Sequence, residues 1–280
     1  MDSICVNGNF ISANDPAIYG DDLAYRFGDG LFETMLLLDG KIILENLHFE
    51  RLFAGMNLLH YHSSELPGRE SLKKKILELA KKNGHQHAAR IRLAVSRGRG
   101  NIDDLTTVPS YLISSKKVKR SSLNWQESGL CIDIFPDARK APDVFSHLKS
   151  SSFLAYALAK RYAMNRDLDD ALVLNSRDKI ADASIFNLFL VYKGKLITPA
   201  LSEGCVDGVM RRYIMEQGEV EENSIGINDL LEADEIFLTN AIHGIRWVKK
   251  FRNKSYGNEQ SASLFRRFIQ PLRMPFFNNA

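Results

Sequence analysis

The alternation of apolar and polar residues divides the chain into short strands interrupted by a few helices. Ile4–Val6 and Phe10–Ser12 flank Asn7-Gly8, a dipeptide suited to the tight turn of a β-hairpin. A loop over Asp15–Asp29 leads into a strand at Leu31–Leu38, which turns at Asp39-Gly40 and returns over Lys41–Leu44. Helical spacing then covers Glu45–Leu59, with Leu52, Phe53, Met56 and Leu59 on one side, and Ser71–Asn83, stopped by Gly84. Strands are predicted at Ala88–Ser96, Ser110–Ser115 and Leu130–Phe135. A loop over Pro142–Lys149 carries a lysine to the start of a helical period made by Phe153, Leu154, Ala157, Leu158 and Tyr162. Beyond it come strands at Ala171–Leu174, Leu188–Tyr192 and Lys195–Thr198, and a helix starting at Gly208. Strands at Glu235–Thr239 and Ile245–Phe251 and a helix near Gln260–Gln270 complete the pattern. Hairpins and helices without regular strand–helix alternation predict the α+β class, with mixed or antiparallel sheets.

The polar stretch 116–128 reads as a linker, giving an N-terminal α/β domain over 1–115 and a larger C-terminal domain over 129–280 that carries Lys149. The chain's 280 residues supply ample core for both. With 45% hydrophobic and 25% charged residues, composition is that of a soluble globular protein. A net charge of +3 does not point to a nucleic-acid partner. No segment reads as a membrane span or signal peptide, and three widely spaced cysteines suggest reduced thiols, so the expectation is a cytoplasmic protein.

Candidate chemistry lies in a few places. Gly204-Cys205-Val206-Asp207-Gly208-Val209-Met210-Arg211 puts glycine at a helix start, where backbone N–H groups and the helix dipole favour an anion. Thr239-Asn240-Ala241 offers small and polar groups at a strand end, and Arg51 could bring a forked charge to the same anion. Arg97 and Arg99, separated by glycine after an apolar strand, suit either capture of a substrate carboxylate or a solvated loop. The histidines show no metal-binding order, and no metal site is expected. Lys149 followed by an acid and a β-hairpin is not diagnostic by itself.

Taken in order, these pieces resemble the class IV aminotransferases, the fold-type IV pyridoxal-phosphate enzymes. The matching segments are Phe27-Gly28-Asp29-Gly30-Leu31-Phe32-Glu33-Thr34, His48-Phe49-Glu50-Arg51-Leu52, Ser96-Arg97-Gly98, Lys149 and Asp169-Asp170-Ala171-Leu172-Val173-Leu174. They continue through Asn187-Leu188-Phe189, Thr198-Pro199, Gly208-Val209-Met210-Arg211 and Leu238-Thr239-Asn240-Ala241. The resemblance implies a two-domain fold, a small N-terminal α/β sandwich and a larger C-terminal pseudo-barrel, with the active site between the domains and a homodimeric assembly.

It also implies roles. Lys149 becomes the Schiff-base lysine for pyridoxal 5′-phosphate and the base that moves the substrate α-proton. Arg51 matches the phosphate-binding arginine, Val209 and Met210 the backbone positions on one side of the phosphate, and Asn240 and Ala241 those on the other. Tyr25 and Arg97, with Arg99 beside them, fall where the substrate carboxylate is held. Thr34 is placed to assist proton delivery. Asp182, five residues before Asn187, stands where the family has glutamate, to keep the pyridine nitrogen protonated so that the ring can act as an electron sink. Leu36, Leu154 and Trp247 depart from the common pattern, Leu154 replacing the tyrosine of branched-chain aminotransferases. Thr239-Asn240-Ala241 followed by Gly244-Ile245 is most similar to the 4-amino-4-deoxychorismate lyase branch. The expectation is that lyase, with a transaminase of D-amino or branched-chain amino acids as the alternative and a non-enzymatic cofactor-binding protein behind both.

Overall fold

The computed structural model describes residues 2–62, 66–104 and 106–274. The chain divides into two compact units, Met1–Arg120 with Lys149–Phe153, and Ser121–Leu148 with Leu154–Ala280. The division at Arg120/Ser121 lies inside the stretch read as a linker. Lys149, however, groups with the first unit rather than with the chain around it. The cause is backbone pairing: Phe32 N–H donates to the Lys149 carbonyl at 2.9 Å, and Ser151 N–H to that of Gly30 at 2.7 Å.

The first unit is built on a six-stranded sheet of β1 (Ser3–Val6), β2 (Asn9–Ser12), β3 (Gly30–Leu38), β4 (Lys41–Ile42), β5 (Ala88–Ser96) and β6 (Ser110–Lys117), ordered β2-β1-β6-β5-β3-β4. β3 and β5 pair antiparallel without interruption from Gly30↔Ser96 to Leu38↔Ala88. The loop expected over Asp15–Asp29 contains a short helix, α1 (Leu23–Phe27). Asp22 caps it by accepting from the N–H groups of Ala24 and Tyr25, and Gly28 closes it in the left-handed conformation (φ 73°) that glycine adopts without strain. Two further helices, α2 (Glu45–Leu58) and α3 (Arg69–Lys82), cover the sheet, α2 packing on β3 and α3 on β6 and β1. Their buried stripes are Phe49, Leu52 and Met56, and Leu72, Ile76 and Leu79.

The second unit holds a nine-stranded mixed sheet. Its strands are β7 (Leu130–Lys140), β8 (Asp170–Asn175), β9 (Ile180–Ala183), β10 (Asn187–Tyr192), β11 (Lys195–Pro199), β12 (Val220–Asn223), β13 (Glu235–Asn240), β14 (Gly244–Phe251) and β15 (Lys254–Ser255). The order is β12-β11-β10-β13-β14-β7-β8-β9, with β15 on β14; β7 runs parallel to both β14 and β8, and β11 parallel to β12. α4 (Leu154–Met164) packs on β7 and β8, and α5 (Val209–Gln217) on β13. Leu172, Leu188, Leu190, Ile236, Leu238, Val248 and Phe251 form the centre of its core. The short elements β9 and β12 carry too little apolar pattern to be seen in the sequence. The architecture is the expected α+β type. Among the described residues no helix is long and apolar enough to cross a membrane.

Candidate active site

In the first unit the candidate residues gather around β3. Successive side chains of a strand point to opposite faces, so Glu33 points away from the face that carries Phe32 and Thr34. Glu33 is buried, with 1% of its side chain exposed. His48 and Arg51, three residues apart on α2 and therefore on one side of it, both reach Glu33. Arg51 donates through Nε to Oε1 at 2.8 Å and through Nη2 to Oε2 at 2.6 Å, and His48 Nδ1 lies 2.6 Å from Oε2. Burial alone would raise the Glu33 carboxyl, but the Arg51 charge and His48 outweigh it and hold the group at about 2. Burial pushes His48 down, so its ring is neutral, with the hydrogen on Nδ1 facing the carboxylate. His48 Nε2 then has no hydrogen-bond partner among the described residues.

Because the Glu33 carboxyl titrates at about 2 in the fold against 4.5 ordinarily, its contribution to stability is complete above about pH 4.5 and is lost as pH falls toward 2. Urea midpoints measured across that window should drop. The drop should be much smaller in a Glu33→Leu, Arg51→Met protein.

Lys149 is half-buried beside the other face of β3. Its Nζ lies 4.7 Å from the centre of the Phe32 ring and 5.9 Å from that of Phe153. Arg92, paired with Thr34 across the strands, lies over the same Phe32 ring at 3.8 Å. Among the described residues Arg92 makes no ion pair or hydrogen bond, and burial lowers its pKa. Its neighbours Arg90 and Ile91 show the pattern that could have flagged it, two basic residues at alternate positions, Arg90 and Arg92, in an otherwise apolar strand.

The other residues expected at the substrate sit differently. Tyr25 lies on α1 with 72% of its surface exposed. Arg97 is held by Asp29 (Nε to Oδ2 2.5 Å) and by the Leu59 carbonyl (2.8 Å), and stacks on Tyr61. Arg99 pairs with Asp21 at 2.9 Å on the surface and stacks on Tyr19. Both guanidinium groups already have a carboxylate partner.

In the second unit Asp182, on β9, is 2% exposed and surrounded by donors. Tyr156 Oη donates to its Oδ2 at 2.6 Å, Val206 N–H to Oδ2 at 2.8 Å, and Asn187 Nδ2 to Oδ1 at 2.9 Å. A carboxylate accepts roughly four hydrogen bonds, so one place remains, on Oδ1. Asn187 also donates to the Val206 carbonyl at 2.8 Å, which ties the acid to the loop feeding α5. Sequence reasoning noted Asn187 as part of a motif and missed this role, along with those of Tyr156, Glu33 and His48.

Val209 and Met210 form the first turn of α5, whose N-cap, Gly208, makes no side-chain capping bond. The first N–H groups of a helix have no partner within it, and a helix start of this kind favours an anion. Gly208 is required by space: a Cβ there would lie 1.8 Å from Asn187 Oδ1. Gly208→Ala should therefore displace the Asn187 amide and destabilise the protein by about 1–3 kcal/mol, the usual range for overpacking. Thermal denaturation of that variant tests it, and an unchanged midpoint would contradict the close packing. At the β13–β14 turn, Asn240 Oδ1 accepts from the N–H groups of Ile242 (3.1 Å) and His243 (2.8 Å), shaping the loop through Ala241. The neighbouring Thr239 hydroxyl is buried with no hydrogen-bond partner among the described residues.

A family model described as amino-transferase class IV matches residues 30–251. The aminodeoxychorismate lyase of Bacillus subtilis is 31% identical over 267 residues, spanning 91% of this chain and 89% of that protein. The D-alanine aminotransferase of Listeria monocytogenes is 27% identical over 252 residues, spanning 85% and 83%. The crystal structure of the branched-chain aminotransferase from Thermoproteus uzoniensis with norvaline shares the fold, with a TM-score of 0.87 at 19% identity over 97% of this chain and 94% of that one. With most of its length matched by the same family that its motifs resemble, the chain belongs to the class IV aminotransferase family of enzymes.

Proposed function

We propose that the protein is a pyridoxal 5′-phosphate-dependent 4-amino-4-deoxychorismate lyase, releasing pyruvate and 4-aminobenzoate. The residues suit that cofactor. The one open acceptor place on Asp182 fits a protonated ring nitrogen, the uncapped start of α5 fits a phosphate, and the buried Thr239 hydroxyl has no hydrogen-bond partner among the described residues. Arg51 and the amides of Val209 and Met210 are assigned to the phosphate, with Asn240 and Ala241 beside them. When bound, the cofactor supplies an electron sink for the substrate carbon that loses its proton.

The observation that carries the reading is the placement of Arg92 and Lys149 Nζ over one aromatic ring, with Arg92 making no ion pair or hydrogen bond among the described residues. Aminodeoxychorismate carries two carboxylates, and Arg92 is a forked cation suited to pair with one of them, with Lys149 assigned to the amine-bearing carbon. Lys149 Nζ takes the proton from that carbon, and the Thr34 hydroxyl, on the Phe32 face of β3, relays that proton to the departing enolpyruvyl oxygen, so that the enol of pyruvate leaves and the hydroxyl is restored. Phe32 and Phe153, edge to face at 5.6 Å, give the lysine an apolar flank.

The test is direct. Protein reconstituted with the cofactor is given aminodeoxychorismate, and 4-aminobenzoate and pyruvate are followed together. In parallel, D-alanine, L-glutamate and L-leucine are offered with 2-oxo acids. Stoichiometric pyruvate and 4-aminobenzoate support the lyase. Amino-group exchange without them would replace it by a transaminase.

A further inference from the structure

Asp182 is one methylene shorter than the glutamate of its family and almost wholly buried, a setting in which an unsupported carboxylate takes up a proton. We propose that Lys140 and Tyr156 are positioning residues that keep the Asp182 carboxylate ionised and aimed. The inference rests on the reading of Asp182 as the cofactor's ring acid.

The geometry is a chain of donors with one possible polarity. Lys140, at the end of β7, donates through Nζ to the Ser146 carbonyl at 2.6 Å and to Tyr156 Oη at 2.5 Å. An ammonium only donates, so Tyr156 accepts from it and must turn its own hydrogen outward, toward Asp182 Oδ2 at 2.6 Å. Lys140 Nζ is itself 3.7 Å from Oδ2, with 15% of its side chain exposed. Val206 N–H reaches the same oxygen, and a backbone amide cannot reverse its role. Every hydrogen around Oδ2 thus points at it, and the positive charge at the head of the chain fixes that order. Phenylalanine at 156 would break the chain, and an apolar residue at 140 would let the tyrosine hydroxyl turn either way.

Other ionisable groups near the carboxyl do not supply the same charge. Cys205 is pushed up to about 12 by burial and remains a neutral thiol. Arg211 acts on Asp182 only through space, its guanidinium being bound to Glu222 and to the Pro199 carbonyl. Asp207 and Asp143 are acids and add no positive charge. Burial drives Asp182 up and Lys140 down, each toward its neutral form. The charged state of either therefore depends on the other.

The experiment follows the protonated-carboxyl band in infrared difference spectra against pH, with Asp182→Asn to assign it, in protein with and without pyridoxal phosphate. Lys140→Met should move the Asp182 midpoint up by on the order of one pH unit or more. Tyr156→Phe should move it the same way by less, and Lys140→Arg should restore it. Coincident titrations in wild type, Lys140→Met and Tyr156→Phe would overturn the inference; if Lys140→Met does not fold, the Tyr156→Phe comparison alone decides. The cofactor's visible band is read alongside. An infrared shift without any change in the pH profile of that band supports the Lys140–Tyr156 assignment and overturns the placing of Asp182 at the ring.

Discussion

Lys149→Ala protein will fold, melt close to wild type and turn over no substrate. The Lys149 backbone carbonyl, which holds Phe32, survives the change, and so does the Ser151–Gly30 bond. What disappears is an amine near two aromatic rings, a contact worth about 0.5–1 kcal/mol at a partly exposed site. On the proposed function the chemistry would lose both its covalent attachment point and its base, and among the described residues no other lysine lies over the Phe32 ring. Calorimetry paired with the coupled pyruvate assay checks both halves. Turnover within about tenfold of wild type, a difference of only some 1.4 kcal/mol in barrier, would remove Lys149 from the mechanism.

Arg51→Ala should be the most destabilising single change at the site. It leaves the Glu33 carboxylate buried with only neutral His48 beside it, and breaking a buried ion pair from one side costs about 3–5 kcal/mol. That loss alone would reduce cofactor retention without showing that Arg51 touches a phosphate. A double change, Glu33→Leu with Arg51→Met, separates the two. It removes both charges together, so urea denaturation should show much of the lost stability regained, short of full recovery because His48 Nδ1 also loses its partner. Cofactor retention through gel filtration should stay low. A double variant that recovers both would mean Arg51 is a structural partner of Glu33 and nothing more.

The sequence made part of this legible for physical reasons. Short apolar runs bounded by turn residues marked β3 and β5, glycine marked the ends of helices and hairpins, and an apolar strand followed by Arg97-Gly98-Arg99 marked a loop. Lys149, Asp182 and the start of α5 could be named because the short motifs, unspecific singly, resemble one family when taken in order. The partners that give those residues their properties were not legible, because no local pattern links them. Glu33 meets Arg51 across 18 positions, and Tyr156 meets Asp182 across 26, so only the folded chain reveals the contacts. Arg97 and Arg99 read as open cations from spacing, yet each is satisfied by an aspartate on a distant loop, Asp29 or Asp21. Helix α1 was hidden by its length: at five residues it has no amphipathic period, although Asp22 and Gly28 at its ends are the usual cap types.

The segment Lys149–Phe153, which pairs with β3 through Lys149–Ser151, also sets an order on folding during synthesis. The first unit contains residues from both sides of position 121, so a nascent chain that has exposed only its first 120 residues still lacks the partner for the Phe32 amide and the Gly30 carbonyl. Domains usually fold as they emerge, N-terminal first. Here the first unit can finish only after residue 153 has left the ribosome, and the segment that completes it is the one bearing Lys149.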